Sequence, residues 1–577
     1  MKPRSTRARV AFVVFTILAL TAVFIVRLVD LQVVQAEALN AEADTKRTLT
    51  QIAYGTRGEI VDTNGAILAD SVERFDIVVS PRVTLLRENA SVVVLEDLTK
   101  ITAIIGGDPN ALLTMILDNP ESDFEYLAQG ITLEQYQAVS DLDITWLYYE
   151  LRPERSYPNG EIAGNLIGFI GTDGPLAGLE LGEDECLVSH DGEASYARGE
   201  DGVALPGSSV DLSEQIDGGT LKLTVDADLQ FYVQQRMEQA AEALGATWAT
   251  AVVMRVSDGH LLAVSDWPTL DPNNFQDAEA DARGSRAFAV PYEPGSTVKA
   301  LTAASLIDAG VASQTTQVVS PYALELTNGG GVISDSFYHD DQRLTLAGAL
   351  VESSNTAIAQ YTDLLDAATR HDYLEKFGLG QATAVDFLGE SSGRLYEAKD
   401  WDARTNYAVQ FGQGLSTTSI QMASAYQTLG NGGVRMPATL VEGCYGADGT
   451  VTDTPSTEGI RVVSEQAAEQ TLQMMEMVYS SSGSAPNLQI PGYRVAVKSG
   501  TAQVADDSGY GGSVVISYAG VAPADNPEYV VIATAGIPDS VYSGLIASTF
   551  RDIMAQTLTT YRVTPSSTSG PDLPLRW

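Results

Sequence analysis

The sequence predicts an α+β protein with a single N-terminal transmembrane helix and two folded parts behind it, and three observations lead there. A charge-free, mostly apolar run from Val10 to Val26 follows a cluster of basic residues, Lys2, Arg4, Arg7 and Arg9. A long amphipathic pattern from Asp226 to Leu244 precedes two strands, Ala249 to Arg255 and His260 to Ser265, with the turn residues Asp258-Gly259 between them. Near the C-terminus, Val495 to Lys498, Val514 to Val521 and Tyr529 to Ala535 alternate or run apolar between Gly and Pro, as the antiparallel centre of a helix-flanked sheet does.

Taken in order, residues 1–9 are a cytoplasmic tail and residues 10–29 the anchor. The apolar run is about 17 residues, roughly 26 Å as a helix, which is enough to cross a bilayer. With the cationic end held in the cytoplasm, everything after Arg27 lies outside. A cleaved signal peptide is the alternative, with Ala36-Glu37-Ala38 as its site. That site sits too far past the apolar core, and the core is longer than a usual signal h-region, so an uncleaved anchor is preferred. Leu28 to Thr48 keeps helical character and continues the membrane helix outward.

The pattern then changes to strand. Arg57 to Asp62 leads into Asn64-Gly65, a hairpin turn signal, and Ala66 to Ala69 returns, with a second strand at Phe75 to Val79. Leu95 to Leu142 reads as short helices with Asp, Gly and Pro breaks, and Asn165 to Gly171 as an extended return. Glu183 to Gly219, rich in Gly, Ser, Asp and Glu, reads as a connector, which puts a boundary near residue 215. Beyond it Leu221 to Val225 is a strand and Asp226 to Leu244 a helix, with Asp226 as N-cap and Gly245 as its stop. The Ser-, Pro- and Gly-rich tail is expected to be disordered.

Composition bounds the partners. At 577 residues the chain exceeds one core, and 44% hydrophobic residues is ordinary for globular structure. Asp and Glu outnumber Lys and Arg 75 to 34, a net charge of -41 that repels nucleic acid. Only two cysteines exist, Cys186 and Cys444. An oxidising exterior would permit one bridge, but the boundary places them in different domains, and two unpaired or buried thiols are expected. The histidines, His190, His260, His339 and His371, show no metal-ligand spacing and read as filler.

Three short strings carry the chemistry: Ser296-Thr297-Val298-Lys299, Ser353-Ser354-Asn355 and Lys498-Ser499-Gly500-Thr501. Each alone is weak; their conjunction, order and unequal gaps are not. Ser296 follows Glu293-Pro294-Gly295 and falls at a helix start, where free N–H groups favour a nucleophile. Lys299 lies one turn on, on the same face, and a desolvated lysine could take the serine proton. Ser353 can relay a proton and Asn355 can hold a substrate amide, at a tight junction between two helices. Gly500 removes a side chain where an extended peptide would lie against a strand edge, and the cation and two hydroxyls beside it suit a carboxylate-ended peptide. Backbone N–H groups of Ser296 and Thr501 are candidates for an oxyanion hole.

The three strings are similar to the active site of the penicillin-recognising acyl-serine enzymes. With Arg57-Gly58, Asp62, Asn64-Gly65, Arg155-x-Tyr157-Pro158, Gly178-Leu179-Glu180, Phe411-Gly412-Gln413-Gly414, Asn431-Gly432-Gly433 and Ala522 to Pro527, nearly the whole chain resembles a class B penicillin-binding protein, a monofunctional peptidoglycan DD-transpeptidase. The resemblance implies an elongated pedestal of the dimerisation type over 30–215, a penicillin-binding transpeptidase domain over 216–562 on the outer face of the membrane, and a tail over 563–577. It implies that Ser296 attacks D-alanyl-D-alanine with Lys299 as base, that Ser353 and Asn355 relay and position, and that Lys498, Ser499 and Thr501 bind the carboxylate. β-Lactams would acylate Ser296, and no metal or organic cofactor is implied. Ser499 stands where many relatives carry threonine, which preserves the hydroxyl. Without a second catalytic domain ahead of the pedestal, lipid-linked nascent glycan would come from a separate membrane polymerase. Arg27 to Gln32 favours a septal enzyme working with divisome proteins over an elongation enzyme. A noncatalytic scaffold would tolerate loss of Ser296 or Lys299, and both are present.

Overall fold

The structure, a computed structural model, describes residues 6–36, 48–197, 210–327, 329–506, 509–538 and 544–577. The chain divides into two compact units, one formed by the N-terminal residues to Thr56 with Glu150–Arg152 and Ser189–Asp217, the other by the rest.

In the first unit the helix Thr6–Val29 is apolar and exposed along its length, as a segment meant for lipid rather than for a protein core must be. It runs on through a wider turn at Asp30–Val34, where Arg27 pairs with Asp30 at 2.6 Å. Arg7–Val34 is the one stretch among the described residues long and apolar enough to span a membrane. The rest of the expected extension, 37–47, lies outside the described residues. Thr48–Ala53, Gly192–Ala197 and Val210–Ser213 form a three-stranded antiparallel sheet, so the expected connector contains strands.

In the second unit six strands of a seven-stranded sheet run along the path Val451–Thr452, Val441–Tyr445, Thr220–Leu223, Ile60–Val61, Ile67–Val79, Glu125–Ile131, and the seventh, Leu147–Ser156, pairs with Ile67–Val79 off that path. Asp62 explains the hairpin at its centre: one carboxylate oxygen accepts from Asn64 and Ala66 N–H at 2.8 and 2.7 Å, the other from Ala227 N–H at 3.0 Å. Three motifs far apart in sequence meet at Glu180, which is fully buried. Arg57 and Arg155 donate to its two oxygens at 2.8 and 2.7 Å, which is what makes a buried carboxylate tolerable. Between Leu95 and Leu142 the structure adds a strand, Glu125–Ile131, to the expected helices. It covers a separate small core of Ile77, Val79, Val94, Leu98 and Ile101.

The boundary expected near residue 215 does not separate two cores. Ile60, Leu68, Leu166, Leu179 and Leu221 belong to the same buried cluster as the C-terminal sheet, because Val441–Tyr445 leaves the C-terminal half to pair with Thr220–Leu223. That excursion also corrects the cysteine expectation. Leu221 is paired with Cys444, and Cys186 and Cys444 form a disulfide with Cα atoms 5.9 Å apart across 258 residues of chain. Gly219 has no side chain because a Cβ there would stand 2.8 Å from the Cys444 sulfur. Closing so long a loop restricts the unfolded chain, by up to about 5 kcal/mol on the chain-entropy account. The Cys186→Ser, Cys444→Ser double variant is expected to melt several degrees lower, and reductant to lower the melting temperature of the parent but not of the variant.

The second sheet is antiparallel throughout, in the order Leu261–Trp267, Trp248–Arg255, Tyr529–Ile537, Gly509–Ala522, Ala496–Asp506. Ala227–Leu244 is the predicted helix: Asp226 accepts from Asp228 and Leu229 N–H at its start, and Gly245 ends it at φ +59°. It packs with Gly544–Thr560 against the sheet, and Ser419–Gly430 packs with Glu465–Ser481 and also lies against the sheet. Ala496–Asp506 is left as an edge strand.

Residues 563–577, expected to be disordered, are ordered against this unit. Leu573 and Leu575 pack on the core, Thr345 N–H donates to Leu575 O at 3.1 Å, and the Trp577 ring lies 4.9 Å from the Arg343 guanidinium. The composition concealed a short extended end whose two leucines, Leu573 and Leu575, two positions apart, share a face.

Candidate active site

Ser296 sits in a tight turn, Gly295–Thr297, that leads into the buried helix Val298–Asp308. Three glycines let this turn fit. Gly295 has φ +57°, and Gly412, at φ +84°, comes so close that a Cβ would be 1.9 Å from Gly295 O. Gly295 N–H donates to Gly412 O at 3.0 Å and Gly414 N–H to Glu293 Oε1 at 3.0 Å, so the Phe411-Gly412-Gln413-Gly414 string seats the serine turn. Gly500 is the third: a Cβ there would meet Pro294 O at 2.6 Å and Ser517 Oγ at 2.5 Å. Its lack of a side chain therefore makes room for the serine turn.

The predicted residues converge. Lys299 is completely buried, and its Nζ donates to Ser353 O at 2.5 Å, Asn355 Oδ1 at 2.7 Å and Ser353 Oγ at 3.4 Å. Lys498, also completely buried, donates to the same Ser353 Oγ at 3.0 Å and to Ser499 O at 2.9 Å. One hydroxyl thus lies between two amines. Burial holds Lys299 well below the ordinary lysine range, and the Lys498 charge pushes it the same way, against the pull of Asp335. Burial brings Lys498 down to about 7. Ser296, Ser353, Ser499 and Thr501 open onto a common cavity of about 290 Å³ with Phe337, Tyr338 and His339 at its rim.

The Ser353-Ser354-Asn355 junction lies between the helices Leu346–Val351 and Asn355–Thr362. Ser353 takes the left-handed conformation at φ +54°, a costly state for a non-glycine residue that its surroundings must hold. The sequence reading missed what does so. Asp335 accepts from Asn355 N–H at 2.5 Å, Thr356 N–H at 3.0 Å and Ser354 Oγ at 2.8 Å, and His339 Nε2 lies 2.9 Å from it. His339, read as filler, borders the cavity. Burial pulls its pKa down, but Asp340 O and the Asp335 carboxylate outweigh that and raise it. A lone Asp about twenty residues before the motif carries no local pattern that would single it out.

A serine at a helix start, a buried lysine one turn further along the chain, a serine and asparagine beside that lysine and a cation with hydroxyls on an edge strand define a penicillin-recognising acyl-serine enzyme. Residues 249–555 match the penicillin-binding protein transpeptidase domain and residues 52–223 the penicillin-binding protein dimerisation domain. The chain is 33% identical to penicillin-binding protein PbpB of Mycolicibacterium smegmatis, over 97% of this chain and 91% of that protein. It is 28% identical to the peptidoglycan D,D-transpeptidase FtsI of Escherichia coli K12, over 98% and 94%. Among solved structures, penicillin-binding protein 3 of Mycobacterium tuberculosis, complexed with aztreonam, superposes with a TM-score of 0.70 at 28% identity, covering 91% of this chain and 100% of that one. The chain belongs to the class B penicillin-binding proteins and is a serine-type transpeptidase.

Proposed function

We propose that Ser296 is the nucleophile that cross-links peptidoglycan stem peptides. The observation that carries this is the buried Lys299, its pKa lowered by burial and by the Lys498 charge, held against Ser353 and Asn355 one helical turn from Ser296. Ser296 Oγ gives its proton to Lys299 as it bonds to the penultimate D-alanyl carbonyl, while the N–H groups of Ser296 and Thr501 take the oxyanion. The peptide bond breaks, the proton passes through Ser353 to the leaving amine, and D-alanine departs. The amine of a neighbouring stem peptide then attacks the acyl-serine, and its proton returns to Ser296. Lys498, Ser499 and Thr501 hold the terminal carboxylate, and Asn355 the substrate amide. β-Lactams acylate Ser296 as mimics of the same peptide.

The N-terminal helix holds the enzyme in the membrane with its basic end in the cytoplasm and the catalytic unit outside. The Cys186–Cys444 disulfide supports that orientation, since such bridges persist in oxidising compartments. The strands to be joined arrive as lipid-linked nascent glycan from a membrane polymerase. A septal role with divisome proteins, rather than elongation, rests on Arg27–Gln32 and on the likeness to PbpB and FtsI over almost the whole chain.

The test is turnover by the chain lacking residues before Asp30, given a peptide ending in D-alanyl-D-alanine and an amine acceptor. One D-alanine released per amide formed is expected. Release with hydrolysis alone would make the protein a carboxypeptidase, and neither release nor acylation would leave a scaffold.

A further inference from the structure

Residues 574–577 contact the strand and the short helix that lead into the left-handed turn at Ser353. We propose that residues 573–577 act as a strap that positions the Ser353 turn for acylation.

The strap is fastened at both ends of the piece that delivers Ser353. It joins the strand Gln342–Thr345, which already pairs with Gln317–Ser320, through the bridge between Leu344 and Arg576, Thr345 N–H to Leu575 O at 3.1 Å and Trp577 N–H to Arg343 O at 3.3 Å. Thr345 is also the N-cap of the helix Leu346–Val351. Its hydroxyl accepts from Gly348 N–H at 3.0 Å and donates to Pro574 O at 2.7 Å, so cap and strap share one group. Gly348 lies in the middle of that helix, where glycine is the poorer helix former, and the reason is the strap: a Cβ there would be 1.9 Å from Leu575 O. At the far end Arg576 pairs with Glu352 at 2.9 Å, next to Ser353.

The helix between these fastenings has only six residues, and the turn it feeds hangs from it by Ser353 N–H to Leu350 O at 3.2 Å and Ser354 N–H to Ala349 O at 3.0 Å. Glu352, held by Arg576, and Gln342, next to the strapped Arg343, line the catalytic cavity. A shift of the helix therefore moves the Ser353 hydroxyl relative to Lys299 and Lys498, and small displacements of a proton-relay group cost rate steeply. Arg576 and Leu575 touch neither substrate nor reacting atoms; they are positioning residues.

The inference rests on acylation at Ser296. A parent chain that takes up no penicillin would refute that reading, whereas a difference confined to the variants bears on the strap alone. The experiment compares benzylpenicillin acylation of the parent, a chain ending at Asp572, Gly348→Ala, and the two changes combined. The truncated chain is expected to acylate roughly tenfold more slowly, with the loss in the chemical step and the noncovalent affinity unchanged. Gly348→Ala, which evicts Leu575 while favouring the helix, should slow the full chain comparably and the truncated chain no further. Parental rates in the truncated chain, or an equal penalty from Gly348→Ala with and without the strap, would overturn the proposal. If the truncated chain shows no cooperative melting, Gly348→Ala in the full chain decides, and a parental rate there overturns it.

Discussion

Ser296→Ala is expected to form no adduct with a fluorescent penicillin and to lose transpeptidation by at least ~10⁴-fold, with its melting temperature close to that of the parent. Alanine deletes one oxygen from a half-buried turn position that Gly295, Gly412 and Gly500 shape through backbone contacts, and those contacts survive the change. The loss cannot be spread over neighbours, because among the described residues nothing else lining the cavity combines a hydroxyl, a helix start and a lysine one turn away. Ser353 lies between two amines but belongs to the strained turn rather than a helix N-terminus, and Thr501 lies on the edge strand. Intact mass after exposure decides: one penicillin per parent chain and none on the variant. An adduct that persists on Ser296→Ala would move the nucleophile elsewhere and sink the mechanism.

The active site was more legible in the sequence than the frame that holds it. Ser296, Lys299, Ser353, Asn355 and Lys498 announce themselves because their chemistry requires fixed residue types at fixed local spacings, and local spacing survives in a linear string. The Asp226-capped helix was legible for the same reason: cap, periodicity and glycine stop lie within twenty residues. What escaped was non-local. The disulfide depends on Val441–Tyr445 leaving its own half of the chain to pair with Thr220–Leu223, and no feature of either strand names the other. Asp335 gains its role only when the chain between it and Ser354 folds back, so it reads as one acidic residue among 75 Asp and Glu. The tail misled because Ser, Pro and Gly dominate its composition, while its order comes from two leucines, a tryptophan and an open strand edge. Gly500 reads in the sequence as a point of close approach, and the atoms a Cβ there would meet, Pro294 O and Ser517 Oγ, come from parts of the chain that its local string does not name.

The pH dependence of acylation should separate the two lysines. Lys299 must be neutral to accept the serine proton, so the rate rises as pH climbs through its lowered pKa, giving the acid limb. Lys498 must be charged to hold a carboxylate, and with its pKa brought to about 7 the rate falls as pH rises beyond that value, giving the basic limb. Since both amines face one Ser353 hydroxyl, the limbs belong to the pair rather than to either residue alone. Substitution tells them apart. Lys498→Met removes a like charge that pushes Lys299 down, so the acid limb moves to higher pH and the basic limb disappears, with weaker binding of carboxylate-ended substrates below about pH 7, where parental Lys498 is charged, and a difference that closes as pH rises past that value. Lys299→Arg keeps a cation that does not deprotonate in this range, so acylation falls by roughly 10³-fold or more and no rise with pH rescues it. Stopped-flow acylation of the parent and both variants between pH 5 and about 10 measures all of this. If Lys498→Met leaves the acid limb where it was, the two amines are not coupled and the lowered pKa of Lys299 comes from burial alone. If Lys299→Arg retains the parental rate, the serine proton goes to another acceptor, and the assignment of Lys299 as base is wrong.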